Sequence, residues 1–278
     1  MKLDDVKHEA RVMRFIRSGS KIRWNETMIQ LKSANEIAEM KKSGQLLARA
    51  HQHIKSMIRP GTTTWEIEEF VNDFLEKNGA IPEEKGFEGY QFATCASVND
   101  EICHGFPNKK PLKKGDIVTI DMVVNLNGAM SDSAWSYAVG EISDEAQHLL
   151  ETTEKSLYKG IEQAVVGNRL GDIGYAIQSY AEAEGLSVVR EFVGHGIGPT
   201  MHEDPPVAHY GRPGRGLRLR EGMTITIEPM LNTGDWHAKV DSNGWTARTV
   251  DGSLSAQYEH TLAITKNGPE ILTSLDEA

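Results

Sequence analysis

The chain repeats itself, and a repeat limits the available folds more than any single motif does. Gly61, Ile67, Val71, Phe74 and Gly79 are matched 106 residues later by Gly167, Ile173, Ile177, Tyr180 and Gly185. A second match follows at an offset of 107, with Lys114-Gly115-Asp116-Ile117-Val118-Thr119-Ile120-Asp121 against Glu221-Gly222-Met223-Thr224-Ile225-Thr226-Ile227-Glu228. Two amphipathic helices can resemble each other by chance. A second match at nearly the same offset weakens that explanation; it pairs Asp121 with Glu228 and places Glu228 on a strand matching that of Asp121. The pattern predicts two α+β halves related by a pseudo-twofold, each with helices before strands.

The local signals agree. Ser33 and Glu36 form a capping box, and Ile37, Met40, Gly44, Leu47, His51, Ile54 and Ile58 then recur in steps of three and four, the spacing of one helix face. Pro60-Gly61 ends that helix. A second starts near Thr63, with Glu66 as its capping partner and Ile67, Phe70, Val71 and Phe74 as its apolar face; Asn78-Gly79 supplies the C-cap. The β-rich run around Asp121 leads into Asn127-Gly128, a strong two-residue hairpin signal, so a second strand is predicted over about Ala129–Ala138. With Asn127 and Gly128 as the central turn residues, Asp121 opposes Ala134. Asp132 is then its diagonal neighbour on the same face.

Composition excludes several classes. With 25% charged and 39% hydrophobic residues the chain reads as an ordinary soluble globular protein. No apolar run approaches the ~18–20 residues of a membrane span. The net charge of −10 argues against a general nucleic-acid binder, and no specific DNA contact is expected. Two cysteines, Cys95 and Cys103, cannot build a disulfide framework, and no signal peptide is visible, so a reducing cytoplasm is the expected location. The charge is uneven. Residues 1–32 carry +4, which leaves −14 for the rest. Val6, Ala10, Met13 and Ile16 could line a short basic helix. Residues 1–27 read as a separate basic extension (natural, an upstream start or a cloning remnant) with mobility as the simplest expectation. Residues 28–278 read as one domain.

Five residues stand in unusual short phrases: Asp121 in Thr-Ile-Asp-Met, Asp132 in Met-Ser-Asp-Ser, His195 in Gly-His-Gly-Ile-Gly, Glu228 in Thr-Ile-Glu-Pro-Met and Glu259 in Gln-Tyr-Glu-His-Thr. Each carboxylate alone reads as a surface ion-pair partner. Brought together by a pseudo-twofold, four carboxylates away from water would repel one another and need raised pKa values or cations between them. Four oxygen donors and one imidazole suit hard or borderline divalent ions, and four negative charges match two of them.

These phrases resemble, in this order and over roughly residues 28–272, the methionine aminopeptidases of bacterial type. Asn99-Asp-Glu-Ile-Cys103-His104-Gly-Phe-Pro107 is similar to the family's first histidine segment. Gly194-His195-Gly-Ile-Gly198, followed by His202-Glu-Asp-Pro205, is similar to its second. The resemblance implies the pita-bread α+β fold, two pseudo-symmetric halves with antiparallel sheet around a dinuclear metal site. It also implies removal of the N-terminal methionine from nascent proteins and peptides whose second residue is small. The metal ligands implied are Asp121, Asp132, His195, Glu228 and Glu259, with Asp132 and Glu259 bridging two ions of cobalt, manganese, iron or zinc. Two such ions activate water and polarise the scissile carbonyl. Glu228 doubles as proton shuttle, His202 steadies the developing oxyanion, and His104 contacts the substrate near the scissile nitrogen. The methionine pocket implied is Phe87, Tyr90, Cys95, His104, Met201, His202 and Trp245. Backbone carbonyls at Asn99, Glu101 and Ser255 imply a monovalent sodium or potassium site. Relatives often carry Tyr at the position of Phe87, Pro at that of Gln91 and Phe at that of Met201, so the pocket's shape is less determined than its chemistry.

Two other readings compete. An X-Pro metallopeptidase of the same fold usually carries a large N-terminal domain, whereas about 32 residues precede the first helix here. A non-catalytic binding module of that fold would lose metal ligands, and all five are present. The Cys/His-rich extension of some eukaryotic relatives is absent, which favours a bacterial-type, stand-alone enzyme; a monomer is expected. Its partner is a peptide or nascent-chain N-terminus, with the ribosome reached through residues 1–27.

Overall fold

The computed structural model describes residues 29–275; the extension over 1–27 and its amphipathic pattern lie outside them. In the first half come α1 (Ala34–Met57), α2 (Thr64–Lys77), β1 (Ile81–Pro82), β2 (Cys95–Val98), β3 (Glu101–Cys103), β4 (Ile117–Leu126) and β5 (Ala129–Ala138). The second supplies α3 (Asp144–Ile161), α4 (Leu170–Ala183), β6 (Ser187–Val188), β7 (Gly194–Gly196), β8 (Glu203–Val207), β9 (Thr224–Ile227) and β10 (Met230–Asn232). It continues with β11 (Ala238–Val240), β12 (Ala247–Thr249), β13 (Ser255–Gln257), β14 (His260–Thr265) and β15 (Gly268–Ile271). Every strand pairing is antiparallel.

Both capping boxes form. Ser33 Oγ accepts from the Glu36 amide, and Thr63 Oγ1 from that of Glu66. The hairpin takes the expected register, Asp121 opposite Ala134, with β5 spanning the residues anticipated. Asn127 and Gly128 hold φ of 55° and 89°, the positive values that a primed turn requires and that match the twist of the flanking strands.

The duplication is visible in the backbone. Gly61 and Gly167 both sit at φ 97°. Gly61 donates to the Leu112 carbonyl at 2.8 Å, and Gly167 to that of Leu219 at 3.1 Å. Isolated bridges then link Thr63 to Pro111 and Arg169 to Arg218, one in each half. Each half keeps its own core. Leu47, Ile54, Ile67, Val71, Val118 and Ile120 pack under the first sheet, and Leu157, Ile173, Ile177, Ile225, Ile227 and Leu262 under the second.

The halves meet along β5. Thr261 Oγ1 accepts from the Asp132 amide at 2.9 Å and donates to the Asp132 carbonyl at 2.8 Å. The Glu259 amide donates to Ala134 O at 2.8 Å. Ser136 Oγ donates to Gln257 O at 2.8 Å. This seam places Asp132 and Glu259 side by side at the centre of the molecule.

Candidate metal centre and substrate pocket

One cavity of about 290 Å³ opens at that seam, and Asp121, Asp132, His195, Glu228 and Glu259 all line it. Nε2 of His195 lies 3.5 Å from Asp132 Oδ2 and 3.7 Å from Glu228 Oε1. Asp132, His195 and Glu259 offer donor atoms within 4.8 Å of one another. Asp121 reaches the cluster from mid-strand in β4, and its Oδ2 accepts from Gln257 Nε2 at 3.4 Å.

The second carboxylate pair is not built like the first. The expectation of a strand running through Glu228, like that through Asp121, does not hold. β9 stops at Ile227, and β10 begins at Met230. Pro229 lacks an amide hydrogen, so the ladder is interrupted there. The facing chain breaks at the same level, between Gln257 and His260. Register is the same on both sides of the gap, Ile227 against His260 and Met230 against Gln257, so Glu228 and Glu259 face each other directly. Asp121 and Asp132 are diagonal neighbours instead.

The phrase Gly-His195-Gly has a steric cause. A Cβ on Gly194 would come 2.6 Å from Thr226 O, and one on Gly196 2.4 Å from Asp204 O. Only glycine lets β7 lie this close to both neighbours. His195 Nδ1 lies 2.9 Å from Gly196 O; the carbonyl can only accept, so Nδ1 carries the proton and Nε2 presents its lone pair to the cluster. Thr226 Oγ1 accepts from the His195 amide at 3.0 Å and donates to Glu228 Oε1 at 2.8 Å, tying the two residues together.

Electrostatics call for cations. Burial raises the pKa of Asp121, Glu228 and Glu259 well above the ordinary carboxylate range, and their mutual repulsion raises it further. Burial also pushes Asp132 up to about 7 and lowers His195 to about 4, leaving it neutral. Asp121 Oδ1, Asp132 Oδ1 and Glu259 Oε1 are buried with no protein partner. Buried acceptors of this kind are costly unless a proton or a metal ion satisfies them. An oxygen-rich set with one neutral imidazole fits divalent metal.

The pocket residues anticipated from sequence converge on the same cavity: Phe87, Tyr90, Cys95, His104, Met201, His202 and Trp245. Tyr90 Oη points away, toward the Thr94 and Gly105 carbonyls at 3.0 and 3.1 Å, so its ring serves as wall and anchor. Trp245 packs edge-on against it at 5.1 Å. His202 stands 4.4 Å from His195, ring to ring and near-perpendicular. His104 is held at φ 56° beside Phe192, and burial lowers its pKa to about 4.

Sequence reasoning missed Glu84, Phe192, Thr226, Gln257 and Thr261. Thr226 could have been found, two residues before Glu228 in the repeated phrase. Glu84 carries no local signal. Asn99, Glu101 and Ser255 gather elsewhere, where the Asn99 carbonyl accepts from the Ser255 amide at 2.9 Å. Arg248 and the Val98 amide engage the Glu101 carboxylate.

Fold and site define a metallopeptidase. Residues 38–266 match the model of metallopeptidase family M24, and the chain belongs to that family. Its relatives there are methionine aminopeptidases. The chain is 52% identical to one from Clostridium perfringens over 88% of this chain and 99% of that protein. It is 48% identical to methionine aminopeptidase 1 of Bacillus subtilis over the same shares. A methionine aminopeptidase structure from Thermotoga maritima superposes with a TM-score of 0.88 at 45% identity, covering 89% of this chain and 100% of that one. The Pyrococcus furiosus prolidase superposes at 0.70 with 22% identity, covering 100% of this chain and 69% of that one, which shows the shared pita-bread fold alone.

Proposed function

We infer that this chain is a metal-dependent aminopeptidase that removes N-terminal methionine from peptides and nascent proteins whose second residue is small. The observation that carries this reading is the convergence of the buried Asp132, Glu228 and Glu259, the half-buried Asp121 and the Nε2 of His195 on one pocket walled by Phe87, Tyr90, Cys95, Met201 and Trp245. Soft, largely apolar walls suit a thioether side chain. The identity to curated methionine aminopeptidases supports it independently.

In this reading Asp121, Asp132, His195, Glu228 and Glu259 would hold two divalent ions, of cobalt, manganese, iron or zinc. Such ions supply Lewis acidity, which polarises the scissile carbonyl and activates water. The chain's own groups do the rest. Glu228 takes the proton from the attacking water and passes it to the leaving nitrogen. His202 donates to the oxygen that gains charge. His104 orients the peptide near the scissile nitrogen. Asn99, Glu101 and Ser255 would hold a monovalent sodium or potassium ion through their carbonyls; the buried, unpartnered Oγ of Ser255 supports that position.

The domain spans residues 28–278 and acts as a cytoplasmic monomer, and the basic residues 1–27 favour contact with the phosphate-rich ribosome. Among the described residues no helix is long and apolar enough to cross a membrane.

The test is a peptide panel with each metal added in turn. Met-Ala-Ser should release free methionine, Met-Lys-Ser should be cut far more slowly, and X-Pro peptides not at all. Equal turnover of Met-Ala-Ser and Met-Lys-Ser, or preference for X-Pro, would overturn the reading.

A further inference from the structure

The cavity holds a further buried carboxyl that the metal cluster does not use. Glu84 follows β1 and enters the turn at Phe87, whose amide caps the Glu84 carbonyl at 3.0 Å. Its backbone is therefore fixed, and its side chain is only 9% exposed. Glu84 Oε1 accepts from Cys95 Sγ at 3.5 Å. The other oxygen, Oε2, is buried without a protein partner. Phe87, Tyr90, Cys95 and Met201 line the same cavity. Burial pushes the Glu84 pKa well above the usual range, and the charges of Asp121 and Asp132 add to this. Glu84 is thus a neutral acid, and with Oε1 engaged by the thiol its proton belongs on Oε2.

A buried O–H costs free energy unless something accepts from it. A hydrocarbon side chain offers nothing. A thioether sulfur is a weak acceptor. We propose that Glu84 is the specificity-determining residue that reads the sulfur of the substrate, its Oε2–H donating to the thioether of the bound methionine. The proposal rests on assigning this pocket to the first residue's side chain. It goes beyond size selection, because norleucine has nearly the shape of methionine but no sulfur, so shape alone separates the two poorly. A pocket with this donor penalises norleucine by leaving the O–H unpaired.

The experiment compares kcat/KM for Met-Ala-Ser and norleucine-Ala-Ser in the metal-loaded wild type, Glu84→Met and Glu84→Gln. Glu84→Met removes the donor at similar volume, and Glu84→Leu does the same where the Met variant does not fold. The methionine-to-norleucine ratio should fall by about threefold to tenfold on losing one weak neutral hydrogen bond, with the change carried by a gain on the norleucine substrate, which no longer leaves an O–H unpaired. Glu84→Gln, which keeps an N–H donor, should retain most of the ratio. A Glu84→Met or Glu84→Leu ratio within about twofold of wild type would overturn the proposal, as would a Gln variant that loses as much as the Met variant. Met201→Ala separates the two readings. It widens the same pocket and must shift the preference between methionine and leucine at the first position. No shift there would remove the pocket assignment itself, whereas a shift beside an unmoved Glu84 ratio removes only the role of Glu84.

Discussion

At the scale of single residues, the two histidines beside the carboxylates differ in what holds them. His195 has its proton on Nδ1, bound to Gly196 O, and turns Nε2 to Asp132 and Glu228. His202 stands behind it, edge to face. His195→Ala should therefore lower metal content, read by mass spectrometry. His202→Ala should keep the metal and lose about 10²–10³-fold in kcat, the scale for one group that stabilises an oxyanion. The reverse pattern would exchange the two roles. Asp132→Asn and Glu259→Gln each remove one carboxylate charge from the cluster, so metal titration should show weaker binding, with activity falling by orders of magnitude. Unchanged activity in either variant would take that residue out of the centre. These residues could be singled out in the sequence because each sits in a rare phrase. Glu84 could not, because a lone glutamate in a polar run looks like a surface residue until the fold buries it.

At the scale of elements, α1 carries two tests. Gly44 is in the middle of this helix, where alanine normally gains about 1 kcal/mol in propensity. Here a Cβ would stand 2.2 Å from Leu272 O and 2.6 Å from its carbon, both backbone atoms. Overpacking should win, and Gly44→Ala should lose about 1–3 kcal/mol in a urea titration. A gain would mean that the C-terminal segment yields. Two turns further on, His51 is fully buried, stacked on Trp135 at 4.7 Å, with its nitrogens at Tyr137 Oη and Ser133. Burial lowers its pKa from 6.5 to about 3. A depressed pKa contributes stability above the unfolded value that is lost as pH falls toward the folded one. At pH 5 the unfolded chain binds a proton that the folded one refuses, a cost of about 2 kcal/mol. Between pH 7 and pH 5, in chelator, wild type should therefore lose about 2 kcal/mol more than His51→Phe. Parallel pH profiles would show that His51 titrates normally. The helical spacing had already put both residues on the buried face. It could not distinguish a glycine needed for close approach from one merely tolerated, because that depends on residue 272.

At the scale of the whole molecule, four crowded carboxyls at the seam, three of them buried, make the metal-free protein electrostatically strained. Their folded pKa values are raised, so the chain without metal should lose stability as pH rises through about 7, where Asp132 ionises. Thermal melts should show the gap between metal-loaded and chelated protein widening from pH 6 to pH 8. A constant gap would mean that the carboxyls do not share one field. Deleting residues 1–27 should leave turnover of short peptides unchanged and weaken ribosome co-sedimentation at low salt, with added salt abolishing the difference. Loss of peptidase activity would place that segment in the folded domain.

The division between sequence and fold follows from the range of the forces involved. Capping boxes, apolar faces, the Asn127-Gly128 hairpin and its register rest on neighbours a few residues apart, so the chain alone determined them. The duplication was equally legible, because two copies of one pattern must solve the same packing problem in the same way. Only the tertiary structure decided how the halves join, through Thr261 on Asp132 and Glu259 on Ala134, and therefore how four carboxyls share one cavity. It also decided that Glu228 and Glu259 face each other across a broken ladder, where equivalence of the halves had suggested a copy of the Asp121 strand. Contacts between residues more than a hundred positions apart leave no periodicity to read. Burial, which turns Glu84 and His51 from ordinary polar residues into neutral ones, exists only once the chain has closed around them.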